Sequence, residues 1–119
     1  MTQPTPDPAA PAAGLRVEPL IGRTGFQATG EVNAVNRSMW ESALDASVAA
    51  AGSGALAGPV VHLDLSELTR VDAGGAAAVA ASAGRLGPDG RIVLHSPPPH
   101  LPRILDVLWP RVPGIEVEP

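Results

Sequence analysis

Hydrophobic and polar positions alternate with a short period at the start of the chain. Residues 15–22 and 24–32 are two partly alternating runs separated by Gly22 and Arg23, a pattern typical of a β-hairpin. Pro19 lies in the first run, and proline has no amide hydrogen to offer a neighbouring strand, so we expect an edge strand there. The sequence therefore predicts a hairpin at the beginning of a sheet.

The period then changes to that of an amphipathic helix over residues 33–51. Asn36 is suited to the N-cap position of this helix, because its side-chain oxygen can accept a hydrogen bond from a free amide of the first turn. We expect one helical face to be formed by Val35, Met39, Ala43, Ala46 and Ala50, with Trp40, Leu44 and Ser47 beside it.

Strands and helices continue to alternate through the rest of the chain. Residues 59–68 are nearly continuous in apolar side chains, which predicts a central strand covered on both faces. A helix over about residues 73–86, a strand at 91–95, a helix at 100–109 and a short edge strand at 114–118 are predicted to follow. This order predicts an α/β fold: a mixed, mostly parallel sheet of about four or five strands, with about three helices packed on it.

Composition and charge narrow the possible functions. The chain has no cysteine and no lysine, which excludes disulfides, thiolate metal sites and a Walker A phosphate loop. The formal net charge of −4 argues against a nucleic-acid partner. Residues 1–13 alternate proline with small side chains and predict a disordered tail before a domain at 14–119. Because no apolar run is long enough to span a bilayer, we expect a cytoplasmic protein without direct membrane insertion.

The sequence TRVDAGGAAAV, residues 69–79, contains the most informative local pattern. Asp72 is suited to capping the following helix by accepting from the amide of Gly74 or Gly75. The two glycines cost helix stability of roughly 1 kcal/mol each relative to alanine, and such residues are tolerated where a backbone or another surface comes close. The segment therefore predicts either a helix start shaped only by packing or a surface for a partner.

No set of residues compels an enzymatic interpretation. A nucleophile elbow does not occur, and acidic residues around one strand end are more often caps than a catalytic pair. The histidines His62, His95 and His100 are expected in ordinary structural positions, because no convincing set of metal ligands accompanies them. We therefore predict no catalytic residues, no metal and no cofactor.

Residues 60–86 and 90–108 together resemble the STAS domain of bacterial anti-sigma factor antagonists. The strand end at Asp64, Leu65 and Ser66 and the pair Asp72 and Gly75 match the family pattern around its phosphorylation loop. The later strand and the helix after it also match, in the same order and at the same spacing, at Gly90, Ile92, Val93, Leu94, Ser96, Pro97 and 103–108. The resemblance covers about residues 15–118 and implies a non-enzymatic protein that binds a kinase-like anti-sigma factor.

The chain departs from the family pattern where the family is regulated. The position of the phosphorylated serine corresponds to Ala73, the next is Gly74, and a family acidic position corresponds to Asn33. Phosphorylation adds about −1.5 to −2 charges, and alanine cannot accept that group. Pro102 also departs from the third-helix pattern, so we expect that helix to begin late or to bend.

The resemblance implies a partner-binding surface with the usual phosphorylation control removed. The residues expected in it are Asn33, Asn36, Arg70, Asp72, Ala73, Gly74 and Gly75, together with the small-residue face of the helix that follows. Two alternatives stay open at this point. One is a structural STAS subunit of a lipid-transport ATPase or stress-signalling complex, and the other is a nucleotide or small-molecule sensing module.

Overall fold

Five strands and three helices alternate along the chain in the computed structural model, which describes residues 14–52 and 58–119. The predicted disordered tail, residues 1–13, lies outside the described residues. The elements, in chain order, are β1 (Leu15–Pro19), β2 (Gly25–Val32), α1 (Arg37–Ala51), β3 (Val60–Val71), α2 (Ala73–Leu86), β4 (Arg91–His95), α3 (His100–Leu108) and β5 (Ile115–Glu118).

The strands form one sheet whose spatial order is the same as the chain order, from β1 to β5. β1 and β2 pair antiparallel as the predicted hairpin, and all other neighbours pair parallel. Each parallel connection contains one helix, as parallel strands require. Pro19 lies in β1 at the edge of the sheet, and residues 115–118 form the fifth strand. The predicted fold class is therefore confirmed.

The hydrophobic core lies between one face of the sheet and the helices, with α2 packed between α1 and α3. In β3, Val61 and Leu63 are buried in this core, whereas His62 and Asp64 alternate with them and are only half-buried. The prediction that this strand is covered on both faces was wrong, because its polar residues occupy the face away from the helices. We call that side the polar face of the sheet.

Helix α1 packs through a different face from the one predicted. Its buried residues are Trp40, Leu44 and Ser47, whereas Val35 lies before the helix and is 77% exposed. Trp40 decides this orientation, because its indole is the largest group to bury. The ring packs edge-on against Phe26, with centroids 5.5 Å apart, and Nε1 donates to the Gly75 carbonyl at 3.0 Å.

Strand β3 runs three residues beyond its predicted end. The register between β2 and β3 shifts twice. Gln27 pairs with Asp64 but Thr29 pairs with Glu67, and Gly30 pairs with Leu68 but Glu31 pairs with Arg70. At each step β3 advances by one residue more than β2, so two β-bulges lengthen it. As a result, residues 69–71, which were predicted to belong to the loop, are strand, and Asp72 alone separates the strand from α2.

Helix α3 begins where it was predicted, close enough to Pro102 for the proline to be accommodated. The helix starts at His100, which places Pro102 in the first turn, where a missing amide hydrogen costs no helical bond. Leu101 and Leu105 are buried, but Leu108, which follows them at helical spacing, is 53% exposed. One edge of the apolar stripe of α3 therefore remains at the surface.

Two glycines of α2, Gly75 and Gly84, test how closely this helix packs against the sheet. A Cβ added at Gly75 would lie 2.7 Å from Val71 Cγ1 and 2.8 Å from Val32 Cγ1, whereas one at Gly84 would meet nothing within 4 Å. We predict that Gly75→Ala lowers the free energy of unfolding by about 1–3 kcal/mol through overpacking. Gly84→Ala, the matched control, should raise it by about 0.5–1 kcal/mol. Urea unfolding measures both, and changes of the same sign would contradict the packing described.

Candidate functional site

The junction between β3 and α2 is closed by Asp72, the N-cap residue. Its backbone is extended, at φ −77° and ψ 174°, and its Oδ1 accepts from the Gly75 amide at 2.8 Å. The Ala76 amide donates to the Asp72 carbonyl at 3.0 Å and begins the helical hydrogen-bond series. The predicted cap is confirmed, with Gly75 rather than Gly74 as its donor.

Arg37, the first residue of α1, reaches across to the same carboxylate. Its Nη2 lies 2.9 Å from Asp72 Oδ2, and the two side chains are 36% and 34% exposed. Gly74 makes room for this contact, because an added Cβ would overlap the Arg37 guanidinium. Arg37 was not among the residues expected in the site, so this tie between two helix N-termini was not predicted. Arg37 and Gly74 are far apart in sequence, so their contact produces no periodic pattern of hydrophobic and polar residues from which it could be predicted.

The turn between β2 and α1 is held by two asparagines that bond each other. Asn33 Oδ1 accepts from the amides of Val35 and Asn36 at 2.9 and 3.2 Å. Asn36 Oδ1 accepts from the Asn33 amide at 2.9 Å, and its Nδ2 donates to the Glu31 carbonyl at 2.9 Å. Asn36 occupies the N-cap position but makes no side-chain bond to the first turn of α1, so the predicted capping bond was wrong. Its side chain fixes the preceding turn instead.

The residues expected to bind a partner divide by exposure. Arg70 and Ala73 are exposed, whereas Asn36 and Gly75 are buried. Asn33, Asp72 and Gly74 are intermediate. All seven residues lie in one region of the fold. Because Asn36 and Gly75 are buried, they support the surface from beneath rather than form it.

An apolar depression beside Ala73 was missed at the sequence level. It has a volume of about 320 Å³ and is lined by Ala73, Arg103, Ile104, Val107 and Leu108. Val107 is 75% exposed and Leu108 is 53% exposed. We call Ile104, Val107 and Leu108 the α3 patch. The sequence carried little signal for it, because five apolar residues in the nine positions of α3 are about what one buried helix face requires.

The α1-facing side of α2 forms a groove of about 410 Å³ floored by small residues, among them Gly74, Ala77 and Ala81. An ion pair closes each end. Arg37 and Asp72 form one, and Arg85 lies 2.6 Å from Asp45 at the other. The predicted smooth face of α2 is thus partly enclosed by charged side chains, and the open surface lies towards α3.

His100 supports the site from α3. Its Nε2 accepts from the Val71 amide at 3.0 Å, directly before Asp72, and so it ties α3 to the end of β3. His62 and His95 lie elsewhere, on the polar face of the sheet. Within residues 14–52 and 58–119 no group of three or more histidine, aspartate or glutamate side chains could hold a metal ion.

Comparison with known proteins places the chain in a family. A family model described as "Mlab, STAS domain" matches residues 30–108, more than half of the chain. The protein therefore belongs to the STAS domain family. Comparison with curated proteins gave no significant match. In the part of the chain that is described, no helix is both long and apolar enough to cross a membrane.

Solved structures share the fold. The unphosphorylated form of the anti-sigma factor antagonist SpoIIAA matches with a TM-score of 0.59 and 16% identity, over 88% of each chain. An anti-sigma factor antagonist from Mycobacterium paratuberculosis matches with a TM-score of 0.59 and 24% identity, over 90% of each chain. The expectation of a STAS fold similar to that of anti-sigma factor antagonists is confirmed.

Two substitutions of Asp72 separate its cap from its ion pair. We predict that Asp72→Ala lowers the free energy of unfolding by about 1 kcal/mol, because the Gly75 amide loses its acceptor. Asp72→Asn keeps an oxygen for that amide and loses only the partly exposed pair with Arg37, which is worth between about 0 and 1 kcal/mol. The decrease in the free energy of unfolding should therefore be clearly smaller for Asp72→Asn than for Asp72→Ala. Equal losses for the two variants in urea unfolding would contradict the capping role.

Proposed function

We propose that the protein is a non-enzymatic regulator of the anti-sigma factor antagonist type, which binds a kinase-like anti-sigma factor without phosphorylation control at the usual site. The observation that carries the proposal is the start of α2. Asp72 keeps the capped helix entry and Ala73 is exposed beside it, but Ala73 presents a methyl group where the family presents a hydroxyl. The binding surface is therefore retained without its phosphate acceptor.

The proposed interface combines the start of α2 with the α3 patch. Its centre is apolar, formed by Ala73 and the α3 patch, and protein interfaces commonly have such a centre within a polar rim. Arg70 is exposed and Arg103 lines the depression, so positive charge borders the apolar centre. A partner that fits this surface has an apolar contact bordered by acidic side chains.

Three other hydroxyl groups, those of Ser66, Thr69 and Ser82, are engaged in hydrogen bonds. The Ser82 side chain is buried, and its hydroxyl donates to the Ala78 carbonyl at 2.8 Å. The Thr69 hydroxyl donates to the Gly30 carbonyl at 3.0 Å, and the Ser66 hydroxyl donates to Asp64 at 2.7 Å. Phosphate incorporated at any of the three by a cognate kinase and ATP would contradict the loss of phosphorylation control.

Two rival functions make different predictions about what the protein binds. A structural STAS subunit would co-purify with a lipid-transport ATPase or a stress-signalling assembly instead of an anti-sigma factor. A nucleotide sensor would bind GTP or ATP in a calorimetric titration of the isolated protein. Either result in place of anti-sigma factor binding would overturn the proposal.

A glutamate at position 73 tests the centre of the proposed interface. Ala73→Glu places a carboxylate beside Asp72 and against the apolar centre, as phosphorylation would in a serine-bearing relative. We predict at least about a tenfold loss of affinity for the kinase-like anti-sigma factor of the source organism, or about 1.4 kcal/mol, in calorimetry. Ala46→Glu, at an alanine that is also exposed but lies on α1 next to the hairpin, is the matched control and should bind normally. Equal affinities for the two variants would place the interface elsewhere.

The α3 patch is tested independently of Ala73. Val107→Glu should weaken the same complex by about tenfold or more, because a charge would be buried in the apolar centre. Ile21→Glu is the control, since Ile21 is fully exposed in the turn between β1 and β2 and borders a different depression. Both variants should keep the unfolding free energy of the unmodified protein. Normal binding by Val107→Glu would remove the α3 patch from the interface.

A further inference from the structure

Two histidines meet on the polar face of the sheet, away from the partner surface proposed above. His62 pairs with Val93 and Asp64 pairs with His95, so the two histidines stand diagonally on neighbouring strands. Nδ1 of His62 lies 2.9 Å from Nε2 of His95, and the rings are 5.2 Å apart between centroids, which points the two nitrogens at each other. This is the geometry of an N–H···N hydrogen bond, in which one nitrogen carries the hydrogen and the other keeps its lone pair.

Glu118 of β5 extends this pair to a third strand. Its Oε2 lies 3.1 Å from His95 Nδ1, so that nitrogen donates to the carboxylate. In the neutral pair, His62 Nδ1 then donates to His95 Nε2. Side chains of β3, β4 and β5 are thereby joined in one series of hydrogen bonds.

The histidine pair lies beside a buried valine. Val93 pairs with His62 on one side and with Glu116 on the other, and residues paired in this way point to the same face of a sheet. Val93 is therefore on the polar face, yet it is only 4% exposed and lies outside the helix-facing core. Because its neighbours on this face are polar, their side chains are what shields it from water.

The hydrogen bond between the rings limits how many protons the pair can hold. One added proton is accommodated, because a charged His95 donates through Nδ1 to Glu118 and through Nε2 to His62 Nδ1, while His62 keeps its single hydrogen on Nε2. With a second added proton, His62 Nδ1 carries a hydrogen as well. Two donors and two positive charges would then face each other across 2.9 Å, and the contact cannot persist.

The charged groups around His62 favour its neutral form. Burial lowers the pKa of His62 below the usual 6.5, and Arg23, His95 and Arg91 lower it further, while Glu118 opposes them. Since His95 acts on His62 as a positive charge, the first added proton belongs to His95. Two further carboxylates of this face are bonded to other groups, Asp64 to Ser66 and Gln27, and Glu116 to Arg91.

We propose that His62, His95 and Glu118 form a proton-sensitive contact, which joins β3 to β5 while it holds no more than one added proton and opens when the second arrives. Opening turns the His62 ring away from His95 and exposes Val93, whereas the core beneath the helices stays intact. Acidification thus changes the charge and the packing of the polar face. The inference is independent of the proposed function, because no residue of the partner surface takes part.

The effect of pH on stability has a definite sign. Because the folded protein keeps His62 neutral at a pH where the unfolded chain protonates it, the unfolded state binds more protons. The stabilisation is therefore fully present above pH 6.5 and is lost as the pH falls through the lower pKa of the folded state. The urea midpoint should decrease between about pH 7.5 and about pH 5.5. His62→Gln, which keeps an amide donor for His95 but does not titrate, should lose at least half of this decrease.

Nuclear magnetic resonance titration of the histidine rings in the full chain tests the order of protonation. His62 should titrate below the usual histidine range in the unmodified protein. His95→Gln should raise the titration midpoint of His62, because it removes a positive neighbour. His100→Gln is the matched control, since it removes the histidine that lies on α3 beside Val71, and it should leave that midpoint unchanged.

Contacts between ring protons show whether the pair opens. The nuclear Overhauser effect between the rings of His62 and His95 should be present at neutral pH and lost once both rings are protonated. The contact between Phe26 and Trp40 should persist, which distinguishes local opening from unfolding.

Four results would each overturn the proposal. They are an ordinary or raised titration midpoint for His62, an unchanged midpoint in His95→Gln, a ring contact that survives protonation of both histidines, and an equal decrease of the urea midpoint in His62→Gln and the unmodified protein.

Discussion

The closeness of α2 to the sheet is the constraint on which the candidate site depends. Gly75 sits where any side chain would strike Val32 and Val71, so the first turn of α2 rests directly on β2 and β3. Trp40 uses the same closeness, because its indole reaches the Gly75 carbonyl from α1. The position of α2 on the sheet determines where Asp72 caps the helix and where Ala73 reaches the surface.

Different residues hold the candidate site in place and form its exposed surface. Asn36, Gly75 and Trp40 are buried and hold the turn, the helix and the core in place. Ala73, Arg70, Val107 and Leu108 are exposed, and Ile104 of the α3 patch is partly buried. Arg37 lies between the two groups, since it ties α1 to Asp72 while remaining about one-third exposed. In our proposal, loss of the family serine changes the surface and leaves its support intact.

Much of the fold could be predicted because short-range rules govern it. Pro19 indicated an edge strand, Asp72 a capped helix and the alternation of elements a largely parallel sheet. The end of β3 could not be predicted, because its two bulges arise from pairing with β2 rather than from the local pattern. The face of α1 was wrong because the burial of one large ring, Trp40, outweighs a row of alanines.

The site was predicted in part for the same reason. Its position and its capping residue follow from a local pattern, and the family resemblance supplies the expectation of a partner. The contribution of α3 and the tie between Arg37 and Asp72 depend on segments that meet only in the folded chain. Exposure within a cluster is likewise a tertiary property, so Asn36 and Gly75 could not be distinguished from Ala73 by sequence alone.

The most direct test of the central claim is the affinity of the unmodified protein for the kinase-like anti-sigma factor that we propose as its partner, measured before and after prolonged incubation of the two with ATP and magnesium. Our account predicts an unchanged dissociation constant and an unchanged mass of the protein in mass spectrometry. A weaker complex accompanied by the mass of an added phosphate would contradict it.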